Sequence, residues 1–98
     1  MVMSDKWDQI GFIISSQYRV EVLERLASGP ATPSQIAADE DITVAAVSHA
    51  LSGLRERGLV ELLVSEERRK GRVYGITESG EEIWYEITHQ GLLDDSRK

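Results

Sequence analysis

Between Thr32 and Gly58 the chain reads Thr-Pro-Ser-Gln-Ile-Ala-Ala-Asp-Glu-Asp-Ile-Thr-Val-Ala-Ala-Val-Ser-His-Ala-Leu-Ser-Gly-Leu-Arg-Glu-Arg-Gly, a stretch that fits two short helices joined by a tight turn. Thr32 suits the N-cap of the first. Pro33 follows at the first helical position, and Gln35 stands where its side chain can reach back to the cap in a capping box. Thr43 can cap the second helix, in which Val47, Ala50, Leu51 and Leu54 recur at the spacing of one buried face. Ala45, Ser48, His49, Ser52 and Arg55 fall opposite. Small side chains let a helix come close to the floor of a DNA major groove, and hydroxyl, imidazole and guanidinium groups reach base edges there. An ordinary solvated helix face has the same pattern, so the rest of the chain has to decide.

With 98 residues the chain has room for one domain with a modest core and none for a separate catalytic domain. It has no cysteine, which excludes disulfides, thiolate metal sites and a cysteine nucleophile. No apolar run is long enough to span a bilayer, and Met-Val-Met-Ser-Asp-Lys at the N-terminus lacks the apolar core of a signal peptide, so a cytoplasmic location with no membrane partner is expected. The net charge of −6 opposes nucleic-acid binding at first sight. Its distribution is uneven. From Thr43 to Ile76, six basic residues (Arg55, Arg57, Arg68, Arg69, Lys70 and Arg72) face four acidic ones for a balance of +2, and the remainder of the chain carries −8. One surface can then meet a polyanion while the rest repels it, which orients the encounter.

The first segment, Ser4 to Ser15, puts Trp7, Ile10, Gly11 and Ile14 on one helical stripe widened by Phe12 and Ile13. A second helix starts near Ser15 or Ser16, buries Val22, Leu23 and Leu26, and stops at Ser28-Gly29-Pro30. Beyond Gly58 the period changes. Leu59 to Val64 reads as a strand, Ser65 to Gly71 as a charged turn, and Arg72 to Ile76 as a second strand with Arg72, Tyr74 and Ile76 on one face; Ala31 can add a short third strand. A two-stranded hairpin is marginal alone and has to lie on the helices. Thr77-Glu78-Ser79-Gly80 caps a last helix with Ile83, Trp84, Ile87 and Gly91 at helical spacing. Trp84 and Tyr85 are a heavy apolar load for a terminal helix. Packing on the domain's own core and a dimer seam shared with the Trp7 helix account for it equally well, the seam candidates being Trp7, Ile10, Ile14, Ile83, Trp84 and Ile87.

The order helix, helix, outward-facing helix, strand, basic turn, strand, helix resembles a winged helix-turn-helix domain, mainly α within the α+β class, with a two- to three-stranded β-wing and an additional helix at each end. Thr43 to Val60 resembles the recognition helix of small prokaryotic repressors of the ArsR and MarR kind, which often run Val-Ser-x-x-Leu-x-x-Leu and close with Gly-Leu-Val. Gly71 to Gly80 is similar to their second wing strand and its exit into the last helix. The likeness covers about Ser16 to Ile87 and is closest to archaeal regulators. It divides the chain into an N-terminal helix (1–15), a DNA-binding unit (16–76), and a C-terminal helix with a frayed tail (77–98).

The resemblance implies a homodimeric, sequence-specific DNA-binding regulator of transcription whose operator is an inverted repeat with half-sites about one helical turn apart. On the recognition helix it implicates Thr43, Val44, Ala45, Ser48, His49, Ser52 and Arg55, and on the wing Arg68, Arg69, Lys70 and Arg72. Two departures stand out. The turn reads Asp39-Glu40-Asp41 where the family commonly has a Gly, which places three carboxylates near phosphates. With no Cys, and with His49 and His89 on different helices, no metal-sensor ligand set and no cofactor are expected. An enzyme is not expected either, since no positioned base and nucleophile and no phosphate-cradling Gly loop can be traced. The alternative is a winged helix that binds another protein in a transcription-associated assembly, which the acidic charge would suit. Whether a small effector acts on the chain does not follow from its residues.

An acidic bulk with only three lysines also suggests work at high salt. The thermal midpoint is then expected to rise between dilute buffer and molar KCl, and an unchanged or lower midpoint would refute the suggestion.

Overall fold

The structure, a computed structural model, describes residues 5–63 and 72–92. Its elements follow in the order α1 (Asp5–Ile14), α2 (Gln17–Ala27), α3 (Pro33–Glu40), α4 (Val44–Glu56), β1 (Val60–Leu62), β2 (Tyr74–Ile76) and α5 (Glu78–His89). This is the helix-turn-helix followed by a hairpin that the sequence pattern implied, with an added helix at each end. Four of the helices begin on a hydroxyl that accepts a backbone N–H of the first turn: Ser16 from Arg19, Thr32 from Gln35, Thr43 from Ala46 and Thr77 from Gly80. At Thr32 the box closes, since the Gln35 side chain accepts the Thr32 N–H at 3.0 Å. Each such cap contributes about 1 kcal/mol, so the helix starts are set locally, ahead of any tertiary contact. No helix among the described residues is long and apolar enough to cross a membrane.

The core is one continuous cluster. α2 supplies Val20, Val22, Leu23 and Leu26, α3 supplies Ile36, and α4 supplies Val47, Ala50, Leu51 and Leu54; Leu59, Tyr74, Ile83 and Ile87 close it from the hairpin and α5. α1 adds Ile10 and Ile13, and here the expected stripe is displaced. The helix is rolled so that Ile10 and Ile13 point inward while Trp7, Gly11 and Ile14 face out. Ile10 and Ile13 are one helical turn apart and fill the space over α2 and α5, which turns Trp7 and Ile14 away. The same burial bears on the dimer-seam candidates. Ile10, Ile83 and Ile87 are buried in the domain's own core, and Trp84 is partly buried against it. A chain this short has few large apolar side chains, and helices from both ends are needed to cover the three-helix unit.

The hairpin is shorter than the apolar runs suggested. β1 and β2 pair antiparallel in the register Val60↔Ile76, Glu61↔Gly75 and Leu62↔Tyr74, and Leu63 N–H adds one more bond to the Val73 carbonyl at 2.7 Å. Ala31 extends the sheet as expected, though only as a single bridge: it exchanges two backbone bonds with Tyr74, at 3.0 and 2.9 Å. The charged turn, including Arg68, Arg69 and Lys70, lies outside the described residues.

α5 docks on the base of this hairpin through its first turn. Thr77 donates from its hydroxyl to the Gly58 carbonyl at 2.7 Å and from its N–H to the Leu59 carbonyl at 3.0 Å. Gly80 then packs so closely that a Cβ there would collide with the Leu59 carbonyl oxygen and come within 2.7 Å of Ile76 Cγ1. Backbone is the obstacle, so the neighbour cannot simply turn aside. Gly80→Ala is therefore expected to destabilise the fold by about 2–3 kcal/mol in urea unfolding, against a gain of about 1 kcal/mol from helix propensity alone; a stabilised variant would show that α5 is not seated this tightly.

Candidate nucleic-acid interface

The helix pair α3–α4 presents its outer row because its inner row is fully committed. Val47, Ala50, Leu51 and Leu54 are all buried, and at 3.6 residues per turn this fixes the roll of α4 about its own axis. Val44, Ala45, Ser48, His49, Ser52 and Arg55 are all exposed, as the sequence pattern implied. Among the described residues the side chains of Ser48, His49, Ser52 and Arg55 have no hydrogen-bond or ion-pair partner. They form an unclaimed strip of two hydroxyls, an imidazole and a guanidinium among small residues. Thr43 differs in role: its Oγ1 accepts the Ala46 N–H at 3.0 Å, so it is first of all a cap, although it is exposed. Val44 is 47% exposed and puts an apolar group at the first turn of the same face.

The turn between α3 and α4 uses an acidic residue where glycine is the easier choice. Asp41 takes φ 59° and ψ 48°, the left-handed conformation, with its N–H bonded to the Ala37 carbonyl. Asp tolerates this region better than most residues because its short side chain can hydrogen-bond locally. The three carboxylates noted in this turn are not equivalent. Asp39 accepts from Arg25 Nε at 2.8 Å, and Arg25 in turn donates through Nη1 to the Gly29 carbonyl at 3.1 Å. One of the three charges is thus neutralised within the fold. Glu40 is the strained one: burial raises its carboxyl above the usual range, with further upward pushes from Glu24, Glu21 and Asp39, opposed by Arg25.

Arg72 stands just ahead of β2, exposed, and its Nη1 donates to the Tyr74 hydroxyl at 3.4 Å, consistent with the shared strand face expected for the two. On the far side of the domain, α1 and α5 are tied by Lys6 to Glu86 at 3.1 Å, and the ammonium holds the Glu86 carboxyl below its ordinary range. Of the suggested seam residues, Trp7 (55%) and Ile14 (39%) keep large exposed surfaces. Between them on the same row is Gly11, where a Cβ would meet nothing within 4 Å. Among the described residues no group of three or more His, Asp or Glu side chains could hold a metal ion.

Residues 7–92, which run from Trp7 through the end of α5, match the HVO_A0261 N-terminal domain family. The chain belongs to that family. A comparison with curated proteins finds no match. Solved structures show that this HVO_A0261 N-terminal domain has a winged-helix fold. It is similar to NMB1585, a MarR family regulator from Neisseria meningitidis, at 26% identity and a TM-score of 0.70 over 95% of this chain and 65% of that one. It is similar to the homodimeric winged helix-turn-helix DNA-binding domain of Mb0332 from Mycobacterium bovis, a possible ArsR-family regulator, at 20% identity and a TM-score of 0.73 over 96% and 85%. It is also similar to MepR from S. aureus, solved in complex with DNA, at 21% identity and a TM-score of 0.69 over 97% and 82%. Two further solved structures of this fold are longer than the chain, which spans 57% and 55% of their lengths.

Sequence reasoning missed one group at the rear edge of α4: Phe12, Arg19, Arg57 and Gln9, gathered around Gly53. The available signal was Gly53 itself, a glycine in the middle of a helix with no local reason to be there.

The Glu40 carboxyl gives this surface a pH dependence. A carboxyl whose folded value lies above its unfolded one supports folding only while it is protonated; that support is present at low pH and is lost as pH rises through the folded value. Ionised Glu40 therefore weakens the fold at neutral pH. Glu40→Gln is expected to raise the thermal midpoint at pH 7, with the gain vanishing once pH falls below the ordinary carboxylate range; a gain independent of pH would point to a cause other than charge.

Proposed function

We propose that this chain is a DNA-binding regulatory domain that acts as a homodimer, each α4 entering a major groove of an inverted repeat. The observation that carries the reading is the unclaimed outer strip of α4. Among the described residues Ser48, His49, Ser52 and Arg55 have no side-chain partner to give up on binding, and the small Ala45 one turn before them allows close approach. Ser48 and Ser52 can bond to bases or phosphates, His49 and Arg55 can donate to a guanine edge or a phosphate, and Ala45 and Val44 can meet a thymine methyl group. Arg68, Arg69, Lys70 and Arg72 supply the backbone and minor-groove contacts, which add affinity and register but little sequence information. The likeness to MepR, solved with DNA, and to the homodimeric domain of Mb0332 supports the same arrangement.

For the dimer, the outward row Trp7, Gly11 and Ile14 of α1 is the proposed seam, since it combines exposed apolar surface with a small residue that permits two helices to approach. Two α4 helices bound to successive major grooves then lie about 34–36 Å apart. Catalysis has no part in this reading, and the working compartment is the one that holds the DNA.

A duplex selected from a random pool, titrated against salt, tests the reading. Affinity for both selected and random duplex should fall with log-log slope set by the phosphate contacts, and Arg68→Ala with Arg69→Ala should reduce that slope by about two. Ser48→Ala and His49→Ala should mainly narrow the gap between selected and random duplex, by roughly tenfold for a base contact. Trp7→Glu with Ile14→Glu should give a monomer by light scattering. Absence of any duplex binding at low salt overturns the proposal and leaves the protein-binding winged helix in its place.

A further inference from the structure

Three helices meet at the ring of Phe12. The guanidinium carbon of Arg19, on α2, lies 3.8 Å from the ring centre, and that of Arg57, the C-cap residue of α4, lies 4.1 Å from it. Both cations are attracted by the negative face of the ring, and both are held in place by further bonds. Arg19 Nη1 donates to the Phe12 carbonyl at 2.7 Å and to Ser15 Oγ at 3.1 Å. Arg57 Nη1 donates to Gln9 Oε1 at 3.2 Å, while Gln9 Nε2 donates back to the Arg57 carbonyl at 3.2 Å. Residues 9 and 12 of α1 are one turn apart and grip the end of α4 together.

The tip of the ring fits against Gly53. A Cβ at that position would stand 2.9 Å from Phe12 Cζ, too close for the ring to stay where it is. Glycine is a poor residue for the middle of a 13-residue helix, and the space the ring needs accounts for it. Gly53 follows Ser52 directly and lies one turn beyond His49. The ring thus touches α4 beside the part that carries Ser52 and His49. Arg19 and Arg57 are also occupied by this arrangement, which makes them unlike Arg55, whose side chain has no partner among the described residues.

We infer that Phe12 is a positioning residue for DNA reading: held by Arg19 and Arg57 against Gly53, it fixes the orientation of α4 against α1, and so decides which bases Ser48, His49 and Ser52 reach. The inference rests on the reading of α4 as the DNA-entering helix. Because α1 also carries the proposed seam, the same ring sets how far apart the two reading helices of a dimer stand. Sequence discrimination depends on that geometry, whereas general attraction to phosphates depends on charge, which Phe12 does not carry.

Phe12→Leu keeps an apolar side chain and removes the ring; Phe12→Tyr restores it; Gly53→Ala displaces it. The three variants and the wild type are compared by residual dipolar couplings of α1 and α4 amides, and by titration of selected and random duplexes at one salt concentration. The orientation of α4 against α1 should change in Phe12→Leu and Gly53→Ala and return in Phe12→Tyr. The preference for selected over random duplex should drop about tenfold in the first two, the scale of one mismatched base pair, with affinity for random duplex and its salt slope unchanged within twofold. If the couplings show α4 unmoved in folded Phe12→Leu, or if both duplexes lose affinity equally, the inference is wrong while the DNA-binding reading stands. If wild-type chain binds neither duplex, that reading fails and takes the inference with it.

Discussion

The buried row Val47, Ala50, Leu51 and Leu54 of α4 is the constraint on which the other elements depend. Once these four side chains are inside, the roll of the helix is settled, and every exposed residue of α4 has a known direction. α2 and α3 supply the surfaces that receive the row, and the hairpin leaves its C-terminal end at Leu59, which is itself fully buried. α5 is then placed by the Leu59 carbonyl, which accepts the Thr77 N–H and stands directly over Gly80. These contacts join α4, β1, β2 and the first turn of α5 on the side of α4 opposite its outward strip.

Much of this was legible in the residues because it is written in local chemistry. The caps at Ser16, Thr32, Thr43 and Thr77, the inner and outer rows of α4, and the Ala31 bridge all follow from side-chain type and spacing, and each is present. The direction of α1 was not legible. Trp7, Ile10, Phe12, Ile13 and Ile14 leave several apolar faces open to a ten-residue helix, and the choice is made by the shape of the gap between α2 and α5, which no local pattern encodes. Ile83 and Ile87 were ambiguous for a related reason: helical spacing says that a row is buried but not against what. The neutralisation of Asp39 by Arg25 likewise depends on two helices meeting, so three acidic letters in a row overstate the charge that the turn presents.

The same distinction bears on the site. The residues that would touch bases can be named from α4 alone, since a helix face is a local object. The residues that aim α4 cannot, because Phe12, Arg19 and Arg57 are dispersed over three helices and look individually like a stripe residue and two solvated cations. Gly53 was the single local trace of them.

Under the proposed reading, charge and shape carry separate parts of recognition. A net charge of −6 means that attraction to DNA at a distance cannot come from the molecule as a whole and has to come from the local excess of arginine and lysine between Thr43 and Ile76. Salt changes the balance. At 1 M ionic strength the Debye length is about 3 Å, so the repulsion from Glu40, Asp41 and the acidic remainder of the chain is confined to direct contacts, and so is the attraction from the basic residues. Recognition then falls to groups that touch the duplex, and close approach becomes the controlling variable. A reading face in which Ala45, Ser48 and Ser52 are small, so that much of the helix can come close to the groove floor, suits that regime. In the same regime an error in the angle of α4 cannot be offset by long-range charge, so under the proposed reading the seating of Phe12 against Gly53 matters most at high salt.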